Sequence, residues 1–561
     1  MIQLPERSVI TDVLVIGSGA AGMMAAIRAQ EHNAKVMLIT KGRLLAGATV
    51  MARGGFQAAV GHSDPDDSPE VHFQDTLRAG GGLNNQNLVR IMTKDILGIV
   101  KDLEQWGIEL VKDGNRFAQK YREGCSYPRH LHYYDETGKA LMKCLSEQIK
   151  LREIPVLIET MALKIVIADG KYKGVLALNY GTGEFYTITA KALIIASGGA
   201  GRVFAETDNP PVLTGDGYSL AFDAGLDLID LEMIDFQMAV CFPEKMKNYP
   251  PNSSAWISAG ARLYNDLGER FMRKYEPEKL ERTSRALINR SVGKELFDGK
   301  GTRNGGVYLD LSDIPRDKIE RIGPNIARTF QRNGVDLTYQ PMELTQVAHT
   351  FLGGIAIDEN CETSIAGVYA AGEVTGGIHG ANRLGGNAVS DPLVFGAVSG
   401  VNAANYANEF SMKQPKFTVV EALDSRLRFI LENTDGIETV ELQKEIRSIM
   451  TEHVGVVRDE PRLRLALEKL CRLEPNLDQL YVRGETDREK AHSFKQAVET
   501  INMHMVGTLV ATAALARTES RGTHFRADFP TNNGNWVKHI ALDNDGNRIR
   551  YRLLNLQGEE N

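Results

Sequence analysis

The sequence predicts an α/β protein that joins a Rossmann-like nucleotide-binding domain to a helical C-terminal domain. The first observation is an apolar strand near the N-terminus that runs directly into a glycine-rich turn and an alanine-rich helix. The second is that later apolar strands also end in glycine-rich turns. The third is a 3.6-residue apolar period from about residue 420 onward, which is typical of packed helices.

The first element spans residues 12–41 and reads DVLVIGSGAAGMMAAIRAQEHNAKVMLITK. Its G-x-G-x-x-G turn lies between a strand and a helix, where glycines let the backbone approach a pyrophosphate at the helix N-terminus. An acid usually ends the second strand and binds the ribose, but Thr40 and Lys41 stand there, so we expect a different ribose contact. The turn supplies the candidate cofactor residues Gly17, Ser18, Gly19, Ala20, Ala21 and Gly22.

Later segments extend this candidate site. The stretch AGATVMARGGFQAAV, residues 46–60, has the glycine and alanine density of a backbone wrapped closely around a ring system. A strand over residues 192–196 runs into the glycines of 198–201, and Glu373 follows another strand, where its carboxylate can accept from a sugar hydroxyl. The stretch 46–60 adds the candidates Gly47, Ala48, Thr49, Gly54 and Gly55.

Composition narrows the function classes. A formal net charge of −7 without any run of Lys or Arg argues against nucleic acid as a partner. No apolar stretch reaches membrane-spanning length and the N-terminus lacks a signal-peptide pattern, so we expect a cytoplasmic protein without direct membrane insertion. The five cysteines lie far apart, which disfavours a disulfide framework, a zinc site or an iron–sulfur cluster within the chain.

Several motifs, in this order along the chain, resemble the flavoprotein subunits of succinate dehydrogenase and fumarate reductase and their relative L-aspartate oxidase. The likeness runs from about residue 10 to the C-terminus and implies FAD as cofactor, a small carboxylate substrate and an iron–sulfur protein subunit as electron partner. The motifs are SGGAGRVF (197–204), TGDG (214–217), LGERFM (267–272), HTFLGGI (349–355), AAGEV (370–374), HGANRLGGN (379–387) and ARTESRGTH (516–524).

The resemblance also implies roles for single residues. Arg383 matches the arginine that clamps a substrate carboxylate against the flavin, and His349 matches a histidine that hydrogen-bonds the same carboxylate. Arg285 matches the arginine that gives a proton to the substrate carbon, with Arg282 as a rival in another register. His379 is a further substrate-binding candidate. On the flavin side the resemblance implies Ala162, Asp216, Glu373, Arg383, Gly386, Asn387, Ala388 and Val389.

The sequence departs from the family pattern at three places. Ala48 stands where members with covalent FAD have a histidine, so we expect non-covalent FAD. Gln237 stands where the family has a substrate-binding His-Pro-Thr run. The stretch ISAGARLYND, residues 257–266, lacks an acid that the family uses in proton relay. These changes predict a substrate whose distal group differs from that of fumarate or succinate.

The segment Arg122-Glu123-Gly124 favours an alternative. It resembles a stretch of L-aspartate oxidase in which the glutamate faces the substrate amino group, so Glu123 is a substrate-binding candidate. The main hypothesis is an FAD-dependent enzyme that interconverts C=C and C–C bonds of a carboxylate by hydride transfer at flavin N5. The alternative is an amino-acid oxidase with fumarate or oxygen as acceptor.

The predicted organisation has four parts. Residues 1–238 and 345–410 form the FAD-binding domain, and residues 239–344 form an inserted α+β capping domain over the flavin. Residues 411–530 form the helical domain, whose segments have period-3.6 apolar spacing. Residues 531–561 form a tail of β character.

Overall fold

The computed structural model describes residues 5–122, 124–410, 416–544 and 549–556. Its largest sheet has seven strands, and it is mixed. Val368–Ala370 pairs in parallel with the carboxyl end of Glu184–Ile195. The other strands follow in the sheet order Val156–Leu157, Val36–Ile39, Glu6–Ile16, Glu184–Ile195, Lys171–Asn179 and Thr160–Ala168, of which the first four are mutually parallel and the last three antiparallel.

Alternate residues of the first strand face two different cores. Val13 and Val15 pack with the helices on one face of the sheet, and Leu14 and Ile16 belong to a second core that continues into the C-terminal helices. A strand buried on both faces reads as an unbroken apolar run, which explains the sequence VLVI. The helices of this domain are Ala20–Glu31, Pro69–Ala79, Gln86–Gln105, Thr137–Leu151, Asp216–Asp223 and Asn387–Glu409.

The capping region has its own sheet and its own core, which includes the fully buried Trp256 and Phe330. Its antiparallel strands follow in the order Ile234–Phe242, Met342–Phe351, Val307–Asp310 and Arg262–Tyr264. Its helices are Ser253–Ala259, Met272–Tyr275, Arg285–Phe297, Arg316–Ile322 and Pro324–Arg332. The predicted limits of the capping domain, at residues 238 and 345, fall inside the two longest strands of this sheet. These two strands therefore connect the FAD-binding domain to the capping region.

The C-terminal region is helical, and its long helix Asp487–Ala516 begins with a capping box between Thr486 and Glu489. Its apolar residues join the core under the large sheet, which is why it is buried along much of its length. The other helices of this region are Val419–Ala422, Ser425–Glu432, Thr439–His453 and Glu460–Leu477. The predicted fold class, an α/β domain with a helical C-terminal domain, is confirmed.

Four smaller sheets are also present among the described residues. In one of them the antiparallel strands His539–Asn544 and Ile549–Leu554 are joined through Leu228–Ile229 to Gly354–Ile355, so the β-like tail is attached to the nucleotide-binding domain. Two-stranded pairs join Lys112–Asp113 to Arg116–Phe117 and Val457–Arg458 to Phe525–Arg526. No helix in the described ranges is both long and apolar enough to cross a bilayer.

A small three-stranded sheet lies beside the glycine-rich segment 46–60. Its middle strand, His130–Leu131, pairs with Phe56–Gln57 on one side and Gln119–Lys120 on the other. His130 lies opposite both Gln57 and Lys120 in this register. The sheet therefore brings residues 54–57, 119–122 and 130 together although they are distant in sequence.

Candidate active site

A cavity of about 1340 Å³ lies between the carboxyl ends of the large sheet and the capping region. It exceeds the roughly 300–1,000 Å³ of most small-molecule sites, so it has room for an extended cofactor and a small substrate. The site residues from the sequence analysis that line it are Gly17, Ser18, Gly19, Ala20, Ala21, Thr40, Lys41, Gly47, Ala48, Thr49, Gly54, Gly55, Ala162, Asp216, Gln237, Arg285, His349, Glu373, His379, Arg383, Gly386, Ala388 and Val389.

At one end of the cavity the first glycine turn presents a helix N-terminus. Gly17 has φ +111°, and a Cβ there would lie 2.1 Å from the carbonyl oxygen of Ala196. A Cβ on Gly22 would lie 1.8 Å from the Gly17 oxygen, so this glycine packs the helix against the turn instead of lining the cavity. Gly19 offers no capping side chain, and the Ala20 N–H donates to Thr49 Oγ1 at 3.2 Å. The following N–H groups of the first turn are suited to phosphate oxygens.

Beside this turn, Lys41 is held between two carboxylates. Its Nζ lies 2.6 Å from Asp216 Oδ2 and 2.8 Å from Glu499 Oε1. Burial alone would lower the pKa of Lys41, but the two carboxylates outweigh it and raise that pKa. Thr40 accepts a 2.8 Å hydrogen bond from Ser18 Oγ. Both carboxylates come from distant parts of the chain, and Asp216 also lines the cavity.

At the other end, two arginines converge on one carboxylate. Arg383 Nη2 donates to Asp235 Oδ2 at 2.8 Å, and Arg285 Nη2 donates to the same oxygen at 2.5 Å. Asp235 lies on the strand Ile234–Phe242, and its side chain is 2% exposed. Burial alone would raise the pKa of Asp235, but the two guanidinium charges outweigh it and lower that pKa. The carboxylate is therefore ionised.

The local structure favours Arg285 over its rival. Arg285 is the first residue of the helix Arg285–Phe297, which the Ser284 side chain caps. Arg282 is exposed and is absent from the cavity wall. Glu281 accepts hydrogen bonds from Arg270, and Arg285 donates instead to Asp235.

A second carboxylate orients the neighbouring side chains. Asp208 Oδ2 lies 3.0 Å from His349 Nδ1 and also accepts from Gln237 Nε2. Gln237 and His349 are on adjacent strands of the capping sheet. An acceptor at Nδ1 places the imidazole proton on that nitrogen and leaves Nε2 for the cavity.

Two further candidates are fixed by partners of their own. Glu373 Oε1 accepts from the Phe351 N–H at 3.1 Å, and burial raises the pKa of Glu373 to about 7. His379 Nε2 lies 3.1 Å from Asp391 Oδ2, and both side chains are buried. Asp391 belongs to the first turns of the helix Asn387–Glu409, so that helix orients His379.

Asn387 differs from its neighbours in the motif. Its side chain pairs with His72 and Thr76 on the helix Pro69–Ala79, at 2.9 Å and 3.0 Å, and it does not line the cavity. A cofactor contact by that side chain is therefore not supported, since its polar atoms are already paired. Glu123 lies outside the described residues.

Sequence reasoning missed the partners of the predicted groups. Asp235 carries a signal, because it is an acid inside the apolar run EMIDFQMAV. Asp208 lies in a loop without periodicity and carries no such signal. Arg122 and His130 also line the cavity, and only topology brings them there. Among the described residues, no group of three or more His, Cys, Asp or Glu is placed to hold a metal ion.

The cavity wall fits FAD. A Cβ added to Gly47 or Gly385 would meet nothing within 4 Å, so the backbone there leaves open space for a flat ligand. Ala48 contributes only a methyl group to this wall. Together with the helix N-terminus at Ala20, these features suit the ring system and the pyrophosphate of a flavin dinucleotide.

Comparisons with known proteins agree with this geometry. The FAD binding domain family matches residues 12–389, and the fumarate reductase flavoprotein C-terminal family matches residues 443–559. A subunit of the fumarate reductase (CoM/CoB) of Methanothermobacter marburgensis is 36% identical over 95% of this chain and 97% of its own length. L-aspartate oxidase of a Synechocystis species is 32% identical over 96% of this chain and 97% of its own length.

A solved structure supports the same relationship. Sdh1 of Mycobacterium smegmatis, in complex with UQ1, superposes with a TM-score of 0.89 at 32% identity, covering 99% of this chain and 95% of its own. The sequence resemblance and the prediction of FAD as cofactor are both confirmed. The chain belongs to the succinate dehydrogenase and fumarate reductase flavoprotein family and is an FAD-dependent oxidoreductase.

Proposed function

We propose that the chain interconverts C=C and C–C bonds of a small carboxylic acid. The observation that carries this proposal is the convergence of Arg383 and Arg285 on Asp235 at one end of an FAD cavity. Two guanidinium groups that share one carboxylate retain a net positive charge, which suits one substrate carboxylate. A relative at 36% identity is named a fumarate reductase, which supports the same reaction class.

Bound FAD supplies the N5 position that takes or gives the hydride. Arg383 is held by burial and by Asp235, so its charge is already oriented when negative charge builds up on the substrate carboxylate. Arg285 is the group that would exchange a proton with the neighbouring substrate carbon. Asp208 fixes His349, whose free nitrogen would hydrogen-bond the carboxylate.

We further propose that an iron–sulfur protein subunit is the electron partner. The relative at 36% identity is named as one subunit of its enzyme, which supports a role within an assembly. The alternative of an L-aspartate oxidase is supported by a relative of that name at 32% identity over nearly the whole chain.

The two functions are separated by one anaerobic experiment. The purified FAD protein is reduced with dithionite, excess reductant is removed, and reoxidation by fumarate, crotonate and other unsaturated acids is followed by flavin absorbance. The proposed function requires rapid reoxidation by at least one acid. In a second arm, L-aspartate is added to the oxidised protein, and rapid flavin reduction would favour the oxidase. Failure of every acid would reject the main proposal.

A further inference from the structure

Arg122 is a cavity-lining cation without a carboxylate partner among the described residues, which do not include the adjacent Glu123. Arg383 and Arg285 share Asp235, and the side chain of His349 has Asp208. Arg122 has no ion pair within the described part of the chain, and its Nε is buried without a hydrogen-bond partner. Arg122 is half-buried and its guanidinium stays protonated, so an anion that enters the cavity would find an available cation there.

The small sheet places a histidine directly beside this arginine. A Cβ on Gly54 would lie 3.0 Å from Arg122 Nη2 and 3.4 Å from His130 Nε2, so the two nitrogens flank the same glycine. Arg122 follows the strand Gln119–Lys120, and His130 pairs with Lys120 in the adjacent strand. The register of this sheet therefore sets the two side chains next to each other.

His130 is itself unpartnered. It is 2% exposed, and neither of its ring nitrogens has a hydrogen-bond partner among the described residues. The Gly54 backbone lies near the ring without the geometry of a hydrogen bond. Burial and the charge of Arg122 hold the pKa of His130 well below its usual value, so the ring is neutral and offers one N–H donor.

The position of His130 connects this pair to the substrate end of the cavity. A Cβ on Gly386 would lie 2.7 Å from His130 Nδ1, and Gly386 follows Arg383 by three residues. Arg122 and Arg285 line the same cavity. Burial lowers the pKa of Arg122, and the like charge of Arg285 lowers it further. An anion between them would relieve that repulsion.

We propose that Arg122 and His130 form a second anion subsite, which holds the distal carboxylate of a dicarboxylic acid while Arg383 and Arg285 hold the proximal one. This inference rests on the proposed function and names its substrate class. The three arginines and Asp235 together carry two net positive charges, which a dicarboxylate neutralises. This proposal replaces the expectation of a different distal group, because Arg122 and His130 would supply the carboxylate recognition that the changed stretches at Gln237 and 257–266 lack.

The test is a binding titration that needs no turnover. Oxidised FAD protein is titrated with fumarate, succinate and malonate, and separately with crotonate and butyrate, while the flavin spectrum is recorded. The variants are Arg122→Met, Arg122→Lys and His130→Leu. Arg282→Met is the matched control, because Arg282 is exposed and does not line the cavity.

Loss of the Arg122 contacts should weaken dicarboxylate binding about tenfold to a hundredfold and leave monocarboxylate binding within about twofold of wild type. Arg122→Lys keeps the positive charge but not the planar guanidinium, so it should lose less dicarboxylate affinity than Arg122→Met. His130→Leu should lose about threefold to tenfold for dicarboxylates only. Arg282→Met should match wild type for every acid.

Three outcomes overturn the subsite. The first is an Arg122→Met variant that binds dicarboxylates and monocarboxylates equally more weakly than wild type. The second is an Arg122→Met variant with unchanged dicarboxylate affinity and a shifted flavin spectrum or potential, which would mean that Arg122 contacts the flavin. The third is a wild-type protein that binds no dicarboxylate. If the wild type discriminates through Arg122 but is not reoxidised by any unsaturated acid, the subsite stands and the proposed function fails. FAD content is measured for each variant, and Arg122→Lys carries the test if Arg122→Met loses FAD.

Discussion

Arg383 and Arg285 are 98 positions apart by number, and their Nη2 atoms share the Oδ2 of Asp235 at 2.8 Å and 2.5 Å. One arginine belongs to the base of the cavity and the other to the first turn of a capping helix. Their shared carboxylate is buried and ionised, so the substrate end of the cavity is ordered before any ligand arrives. The first two predictions test this arrangement.

We expect Asp235→Asn to destabilise the protein by about 3 kcal/mol, because it leaves the buried Arg383 guanidinium without its carboxylate. Urea unfolding of the FAD-bound protein measures this, and added sulfate should restore part of the loss. Asp313→Asn is the control: it breaks the exposed pair of Asp313 with Arg262, and we expect a cost below about 1 kcal/mol. Equal costs in the two variants would contradict a structural charge at Asp235.

We expect Arg383→Ala to retain FAD and to lose about 10²–10³-fold in turnover, because one preoriented charge on the substrate carboxylate is removed. Steady-state reduction of the best acid measures kcat, and the flavin absorbance per protein measures cofactor content. Near-normal kcat with full FAD would show that Arg383 serves only to hold Asp235.

FAD should be released completely by denaturation, since the Ala48 methyl group offers no nitrogen for a covalent bond. After trichloroacetic acid precipitation, we expect all flavin absorbance in the supernatant. In-gel fluorescence after denaturing electrophoresis provides the control. Flavin that stays with the pellet or the gel band would contradict this prediction.

Glu373 makes the stability of the FAD-free protein depend on pH. Burial raises the folded-state pKa of Glu373 from 4.5 to about 7, so the folded state holds this proton more tightly than the unfolded state. The stabilisation is complete below pH 4.5 and is lost as pH rises through about 7. Between pH 5 and 8, wild type should lose up to about 3 kcal/mol relative to Glu373→Gln in chemical denaturation. Parallel pH curves for the two proteins would sink the prediction.

The local parts of the fold were predictable because their causes are local. The strand and turn through Gly22 follow from adjacent residues, and the helix begins at Ala20, within the glycine-rich turn, because Gly19 occupies the N-cap. The strand Glu184–Ile195 is longer than the predicted 192–196. Its first half pairs with the antiparallel edge of the sheet, and its mixed polar sequence EFYTITA hides that pairing.

The parts of the site that sequence reasoning missed depend on topology. Asp208 meets His349 across 141 positions, and Glu499 meets Lys41 from a helix at the far end of the chain. No spacing rule links such pairs, because each depends on how strands and helices are stacked. The sequence likewise does not show that Arg122 and His130 are neighbours, because only the register of the small sheet brings both side chains next to Gly54.

The strands Ile234–Phe242 and Met342–Phe351 run without a break from the base of the cavity into the capping sheet. They carry Asp235 and His349 near the base, while the capping helix brings Arg285 to the same point. A movement that separated the helix Arg285–Phe297 from the base of these strands would break the contact between Arg285 and Asp235. On the proposed mechanism, a conformation with that contact broken would lack its proton donor, so closure of the capping region would complete the reactive site.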